Sequence, residues 1–220
     1  MFGRPPGKVP KCPRIYDQFQ TKDGNNQPLE FMAPFKPRGS QCPLLFKAKT
    51  TTGDESEEEV VVKVVREGYG KDAHYVAAES GFAPKLYGVA KVDGAPPAYV
   101  MELLSEEQGW VSLQRAYSKV KAKWEKLEGE LDKFLDFLRA NDLVHGDLRG
   151  NNVLCHMRTD DVKIRAIDWD WAGKSGIARY PLTRNPAANL PANPGDLISF
   201  AHDSSVLKKY FNEGKKLSLA

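Results

Sequence analysis

The chain is poor in cysteine. Cys12, Cys42 and Cys155 are too few and too scattered for a disulfide framework or a zinc site, and no CxxC pair occurs. The odd count suits a reducing compartment. No apolar run approaches the ~20 residues that a membrane-crossing helix needs. Met1 to Gly7 also lacks the apolar stretch of a secretory leader. The expectation is a cytoplasmic or nuclear protein that is not secreted and does not engage a membrane. An excess of one charge is missing too: the net charge is +3 over 220 residues. Nucleic-acid binders carry a basic stripe or a larger imbalance, so no nucleic-acid partner is expected. His74 and His202 have no metal-ligand partners at a telling spacing, which argues against a zinc centre. Internal repeats are absent.

What is present is an ordinary globular composition, 41% apolar and 28% charged. The length suffices for one domain or two coupled lobes. Residues 1–43 stand apart, with prolines at 5, 6, 10, 13, 28, 34, 37 and 43. Proline removes an amide donor and fixes φ, so long regular elements are not expected there. The stretch reads as an extended arm laid over the domain or as partly disordered chain.

Residues 44–104 read as strand-rich. Leu44–Lys49 and the β-branched Val60–Val65 suggest two strands. Between them, Asp54, Glu55, Glu57, Glu58 and Glu59 form an acidic run that reads as a solvated loop. Lys71–Ser80 is helix-compatible and stops at Gly81. Leu86–Val92 and Ala98–Leu103 are further strands, separated by the turn signal Asp93-Gly94. After a linker near 104–109, residues 105–220 turn helical. From Trp110 to Ala140 the apolar period is helical. Trp124, Leu127, Leu131, Phe134, Leu135 and Leu138 share one core-facing stripe. Short strands follow at Asn152–Cys155 and Val162–Ile167, then a Pro- and Asn-rich stretch over Arg179–Pro194. A last helix spans about Gly195–Phe211.

The segment His145-Gly-Asp-Leu-Arg-Gly-Asn-Asn152 carries the chemistry. Phosphoryl transfer needs one carboxylate to orient a hydroxyl and take its proton. A second carboxylate, helped by an amide oxygen, must hold Mg²⁺ on the phosphates. Asp147 and Asn152, five residues apart, supply a base and a metal ligand from one loop. Asp168, ending an apolar strand, completes the metal pair. Lys63, within a valine run, is placed to meet phosphates. His145 reads as a packing residue under the loop, and Trp169 and Trp171 as core or groove-lining aromatics.

In order and spacing these pieces resemble protein kinases. Val60-Val-Val-Lys63 is similar to the strand lysine, His145 to Asn152 to the catalytic loop, and Ile167-Asp-Trp-Asp170 to the metal-binding motif. The phrases Gly81-Phe-Ala-Pro-Lys-Leu-Tyr-Gly88 and Ile167-Asp-Trp-Asp-Trp-Ala-Gly173 bring the chain closest to protein-kinase-like proteins of mushroom-forming (basidiomycete) fungi. The resemblance covers roughly 44–205. It implies an α+β, two-lobed kinase-like fold: a strand-rich lobe over 44–104 and a short helical lobe over 105–220, after the 1–43 arm.

It also implies ATP and Mg²⁺ as cofactors and a protein or small-molecule hydroxyl as acceptor. Asp147, Arg149 and Asn152 take catalytic roles, with Asn152 and Asp168 on the metal. Lys63, Met101, Glu102, Leu103 and Asp168 contact ATP, and the backbone at 101–104 faces the adenine. Ala98, Val100 and Met101 provide apolar contacts. Asp72 is the favoured carboxylate to pair with Lys63, with Glu79 and His74 nearby.

Four features depart from the kinase pattern. No glycine-rich loop precedes the second strand; Pro37–Pro43, with one glycine, is the nearest candidate. No glutamate sits mid-helix after Lys63. Gly146 replaces the arginine that commonly precedes the catalytic aspartate. Asp170 stands where the motif has glycine, and only 50 residues follow it.

Arg149 favours a Ser/Thr protein kinase. The His-Gly-Asp and Ile-Asp-Trp-Asp phrases also resemble aminoglycoside and choline kinases, the first alternative. The missing glycine loop and short tail leave a pseudokinase or truncated binding protein as the second.

Overall fold

The computed structural model describes residues 12, 13, 15–36, 44–51, 56–120, 123–157, 161–183 and 190–219. The glycine-loop candidate at 37–43 lies outside them. The chain forms two compact units. One takes the chain up to Arg66 and returns for Tyr87–Leu103; the other takes Glu67–Leu86 and Leu104–Ala220.

The first unit is a seven-stranded antiparallel sheet. Its strands are β1 (Gln18–Thr21), β2 (Asn26–Pro28), β3 (Glu30–Pro34), β4 (Leu45–Thr51), β5 (Glu57–Val64), β6 (Leu86–Ala90) and β7 (Ala98–Glu102). They lie side by side in the order β2-β1-β6-β7-β5-β4-β3. Residues 18–34 are therefore sheet, which corrects the expectation of an arm over this part of 1–43. The prolines are tolerated because β2 and β3 are the two edges, and a strand with one free side loses no ladder bond to a missing amide. The acidic run is corrected as well. Glu57, Glu58 and Glu59 lie on β5, where β-strand alternation hands them cross-strand partners: Lys49 Nζ is 2.8 Å from Glu57, Lys47 Nζ is 3.7 Å from Glu59, and the Tyr87 hydroxyl donates to Glu58.

The register divides the sheet into two faces. Val60, Val62 and Val64 of β5 share a face with Phe46, Ala48, Ala98 and Val100, and with Tyr16 and Phe19 they make this unit's core. Val61 and Lys63 point the other way, opposite Met101 and Tyr99. Ala98 and Val100 are thus core residues on the face opposite Lys63, so of the three residues expected to make apolar contacts with the nucleotide, Met101 alone shares the lysine's face.

The second unit holds α1 (Lys71–Glu79), β8 (Trp110–Ser112), α2 (Leu113–Val120), α3 (Trp124–Ala140), β9 (Leu143–Val144), β10 (Val153–His156), β11 (Lys163–Ala166), β12 (Gly173–Lys174) and α4 (Phe200–Leu219). The stripe Trp124, Leu127, Leu131, Phe134, Leu135 and Leu138 on α3 is buried as the apolar period requires. It meets Val153, Cys155, Ile164 and Ala166 from the small sheet β11-β10-β8, and Leu207 and Phe211 from α4. Trp110–Ser112, expected as helix, pairs with β10, because Val111 is needed on the buried face opposite Cys155. The last helix starts at Phe200, later than expected, and runs on to Leu219. Helix α1, expected with the 44–104 strands, buries Ala73 and Ala77 in the second unit's core. Among the described residues no helix is long and apolar enough to cross a membrane.

Candidate functional site

The loop from His145 to Asn152 joins β9 to β10, so both of its ends are tied into buried strands. It is held from below by a residue 58 positions away. Asp203, on the buried stripe of α4, accepts the His145 N–H on Oδ2 at 2.6 Å and the Gly146 N–H on Oδ1 at 2.9 Å. Burial pushes this carboxyl up to about 7, against the two amides that favour its charged form; the nearby Asp147 charge adds to the rise. Sequence reasoning missed Asp203. Its signal is a lone acid within an apolar helical stripe.

His145 is fully buried. Its Nδ1 accepts the Asp147 N–H at 3.2 Å, so its Nε2–H donates to the Ile167 carbonyl at 3.1 Å; this network assigns the tautomer. The ring also meets Trp169 edge-on at 4.7 Å. Gly146 has φ +84°, and a Cβ there would stand 2.8 Å from Ile198 Cδ1. A side chain there would be strained by the positive φ and crowded by Ile198 and Trp171, so glycine is favoured over arginine at this position.

Asp147 is 5% exposed. Arg149 grips it with two bonds, Nε to Oδ1 at 2.5 Å and Nη2 to Oδ2 at 2.7 Å. This fork raises the guanidinium pKa above its ordinary value, chiefly through the hydrogen bond. Asn152 Nδ2 donates to Asp147 twice, to Oδ2 at 2.8 Å and to the backbone oxygen at 3.0 Å. Asn151 Nδ2 in turn donates to Asn152 Oδ1 at 3.0 Å.

Asp168 sits beside this loop. The Ile167 N–H donates to the Asn152 carbonyl at 2.9 Å, extending the β10–β11 ladder to the motif. The negative charge of Asp168 also acts on Arg149. Asp168 has φ 71° and ψ 56°, a left-handed conformation that is uncommon for a non-glycine residue and is typical of functional turns. A 3-10 turn, Trp169–Trp171, follows. Trp169 is completely buried and its indole N–H reaches the Ala166 carbonyl at 2.9 Å.

Helix α1 docks on that turn. The Gly70 N–H donates to the Trp169 carbonyl at 2.9 Å, and a Cβ on Gly70 would lie 2.4 Å from the Ala172 oxygen. His74 stacks on Trp169 with ring centroids 5.7 Å apart and planes 8° from parallel. Its Nε2–H donates to the Pro84 carbonyl at 2.8 Å, leaving Nδ1 to accept the Tyr69 hydroxyl at 2.7 Å.

Asp147, Arg149, Asn152 and Asp168 are thus brought together within the second unit. In the first unit Lys63 is 6% exposed, on one face with Val61 and Met101. Met101 and Leu103 are buried and Glu102 half-buried at the end of β7. Asp72 does not fit its expected role: its side chain is 96% exposed and lies 4.0 Å from Lys71. A buried ammonium needs a carboxylate that shares its low-dielectric surroundings, and a solvated one at the start of α1 does not.

No protein-family model matches the chain, and no curated protein matches its sequence. Among solved structures, the chain is similar to the kinase PK-1 of Cydia pomonella granulovirus. The TM-score is 0.62 at 15% identity, over 86% of this chain and 69% of the viral one. The fold is protein-kinase-like.

Proposed function

We propose that this chain is an ATP- and Mg²⁺-dependent phosphotransferase that acts on a Ser/Thr hydroxyl of a protein. The observation that carries the reading is the cluster of Asp147, Arg149 and Asn152 beside a left-handed Asp168. The similarity to kinase-like proteins of mushroom-forming fungi is part of the same proposal.

The donor set fits Mg²⁺. Among the described residues no group of three His, Cys, Asp or Glu is poised for a metal. Mg²⁺ on a nucleotide asks for less, one or two protein oxygens with phosphates and water completing the shell. Asp168 and Asn152 Oδ1 are such oxygens. Bound there, Mg²⁺ supplies charge neutralisation on the phosphates.

Asp147 orients the acceptor hydroxyl and takes its proton. Asn152 Nδ2 holds that carboxylate in place. Arg149, on leaving Asp147, meets charge that develops on the transferred phosphoryl group. Lys63, on β5, serves the α- and β-phosphates. Replacing Lys63 with Met is expected to weaken ATP binding and turnover together, read by calorimetry and by γ-phosphate release. Unchanged values in both would remove Lys63 from the proposed nucleotide-binding residues.

The direct experiment is transfer from γ-labelled ATP with Mg²⁺ or Mn²⁺, offered generic protein substrates in one arm and amino alcohols and aminoglycosides in another. Label on protein is expected. Label on the small molecules alone would replace the acceptor class with that of choline and aminoglycoside kinases. Loss of all metal-dependent nucleotide binding would overturn the proposal.

Activity is expected not to depend on phosphorylation of this chain. A phosphate that orders a loop is met by a partner arginine, and position 146 is a glycine whose positive φ disfavours one. Tyr180 is buried against Val144 and Ile198, so its hydroxyl is not offered to a kinase. Phosphatase treatment, or Ser175→Ala and Thr183→Ala, should leave turnover within about twofold. A large drop would point to another basic anchor, with Arg149 or Arg165 the first to test.

A further inference from the structure

The oxygen that the proposed reading assigns to the metal already accepts one hydrogen bond. Both hydrogens of Asn152 Nδ2 are used, one on the Asp147 backbone oxygen and one on Asp147 Oδ2. That fixes the amide plane and turns Oδ1 away from Asp147. There it receives the Asn151 amide at 3.0 Å. Asn152 is only 3% exposed, and Asn151 is half-buried beside it.

Mg²⁺ binds an oxygen directly, at about 2.1 Å, and tolerates little distortion. An N–H hydrogen and a cation repel each other at the same oxygen. Oδ1 keeps a second lone pair for the metal, but the Asn151 hydrogen held on the first draws on the same oxygen's electron density and repels the cation, which weakens Oδ1 as a ligand. It is not needed to orient that oxygen, because the two Nδ2 bonds already do so.

We infer that Asn151 is a positioning residue that covers the metal-ligating oxygen of Asn152 and turns away when the metal–nucleotide complex binds. The inference rests on the assignment of Asn152 and Asp168 to the metal. Asn151 thereby holds metal affinity below what those two ligands would give alone, by about the net value of one hydrogen bond. The closed set of bonds from Arg149 through Asp147 and Asn152 to Asn151 is the resting state of the loop. Metal–nucleotide binding opens it at the Asn151 end.

The test is binding of Mn²⁺ in the presence of ADP, followed by the loss of the free Mn²⁺ paramagnetic resonance signal. Wild type, Asn151→Ala and Asn151→Asp are compared. The alanine variant is expected to bind Mn²⁺–ADP about three- to tenfold more tightly, while its affinity for ADP in chelator is unchanged. Asn151→Asp cannot donate to Asn152 Oδ1 and should also bind the metal more tightly. Unchanged or weaker Mn²⁺ binding in a folded alanine variant would overturn the inference while leaving the metal assignment standing. No Mn²⁺–ADP binding by wild type would overturn both. A measurement on wild type avoids any folding defect: the Asn151 side-chain amide NMR resonances should shift when Mg²⁺ and ADP are added together. Resonances that do not move would also overturn it.

Discussion

Asp147→Asn is expected to leave Mg²⁺–nucleotide affinity within about threefold and to lower turnover by about a hundred- to ten-thousand-fold, the usual worth of a positioned general base. The amide keeps the shape of the carboxylate but cannot take a proton. It also leaves Arg149 without the anion that receives both of its bonds at 2.5 and 2.7 Å. Asp168→Ala should do the opposite: nucleotide affinity becomes insensitive to Mg²⁺, because the carboxylate that fits the metal is gone. Calorimetry with and without Mg²⁺, paired with single-turnover label transfer, separates the two. Equal loss of binding in both variants would mean that Asp147 is a structural aspartate and that the base lies elsewhere.

The part of this site that was legible in the sequence is the part whose partners are neighbours along the chain. Asp147, Arg149 and Asn152 interact across two to five residues, so their spacing alone carries the geometry. Asp168 is one step further out, yet a strand ladder joins it to Asn152, and strand patterning exposes that. The α3 stripe was legible because a 3.6-residue period has one physical solution. Other features had no local signal. The strands at 18–34 hide behind prolines that are harmless only at sheet edges, and edge position is a property of the assembled sheet. The glutamates of β5 look like a solvated loop until lysines on β4 stand beside them. Asp72 looked suitable from its position after Lys63, whereas its exposure depends on how α1 packs. That packing runs through Gly70, His74 and Trp169, a contact set that no spacing announces.

The loop's anchor was the least legible element, and its removal should have the second large effect. Asp203→Ala deletes the acceptor of the His145 and Gly146 amides, which are both buried. Leaving two buried donors unsatisfied costs about 1–3 kcal/mol each, so denaturant unfolding should show a loss of several kcal/mol. Turnover should fall along with it, because His145 in turn receives the Asp147 amide and orients the loop. Asp203→Asn retains one oxygen acceptor but sets an amide against the second N–H, so its loss should be intermediate. Hydrogen exchange at His145 and Gly146 should quicken in both variants. The pH dependence has a definite sign. The folded carboxyl titrates at about 7, above its ordinary value of 3.8. Between these values the folded protein holds a proton that the unfolded chain has released, so this group's contribution is full below about 4 and declines as pH rises to about 7. Wild type should therefore lose stability relative to Asp203→Asn across that window. Parallel pH profiles for the two proteins would show that Asp203 stays ionised throughout, held by the two amides alone.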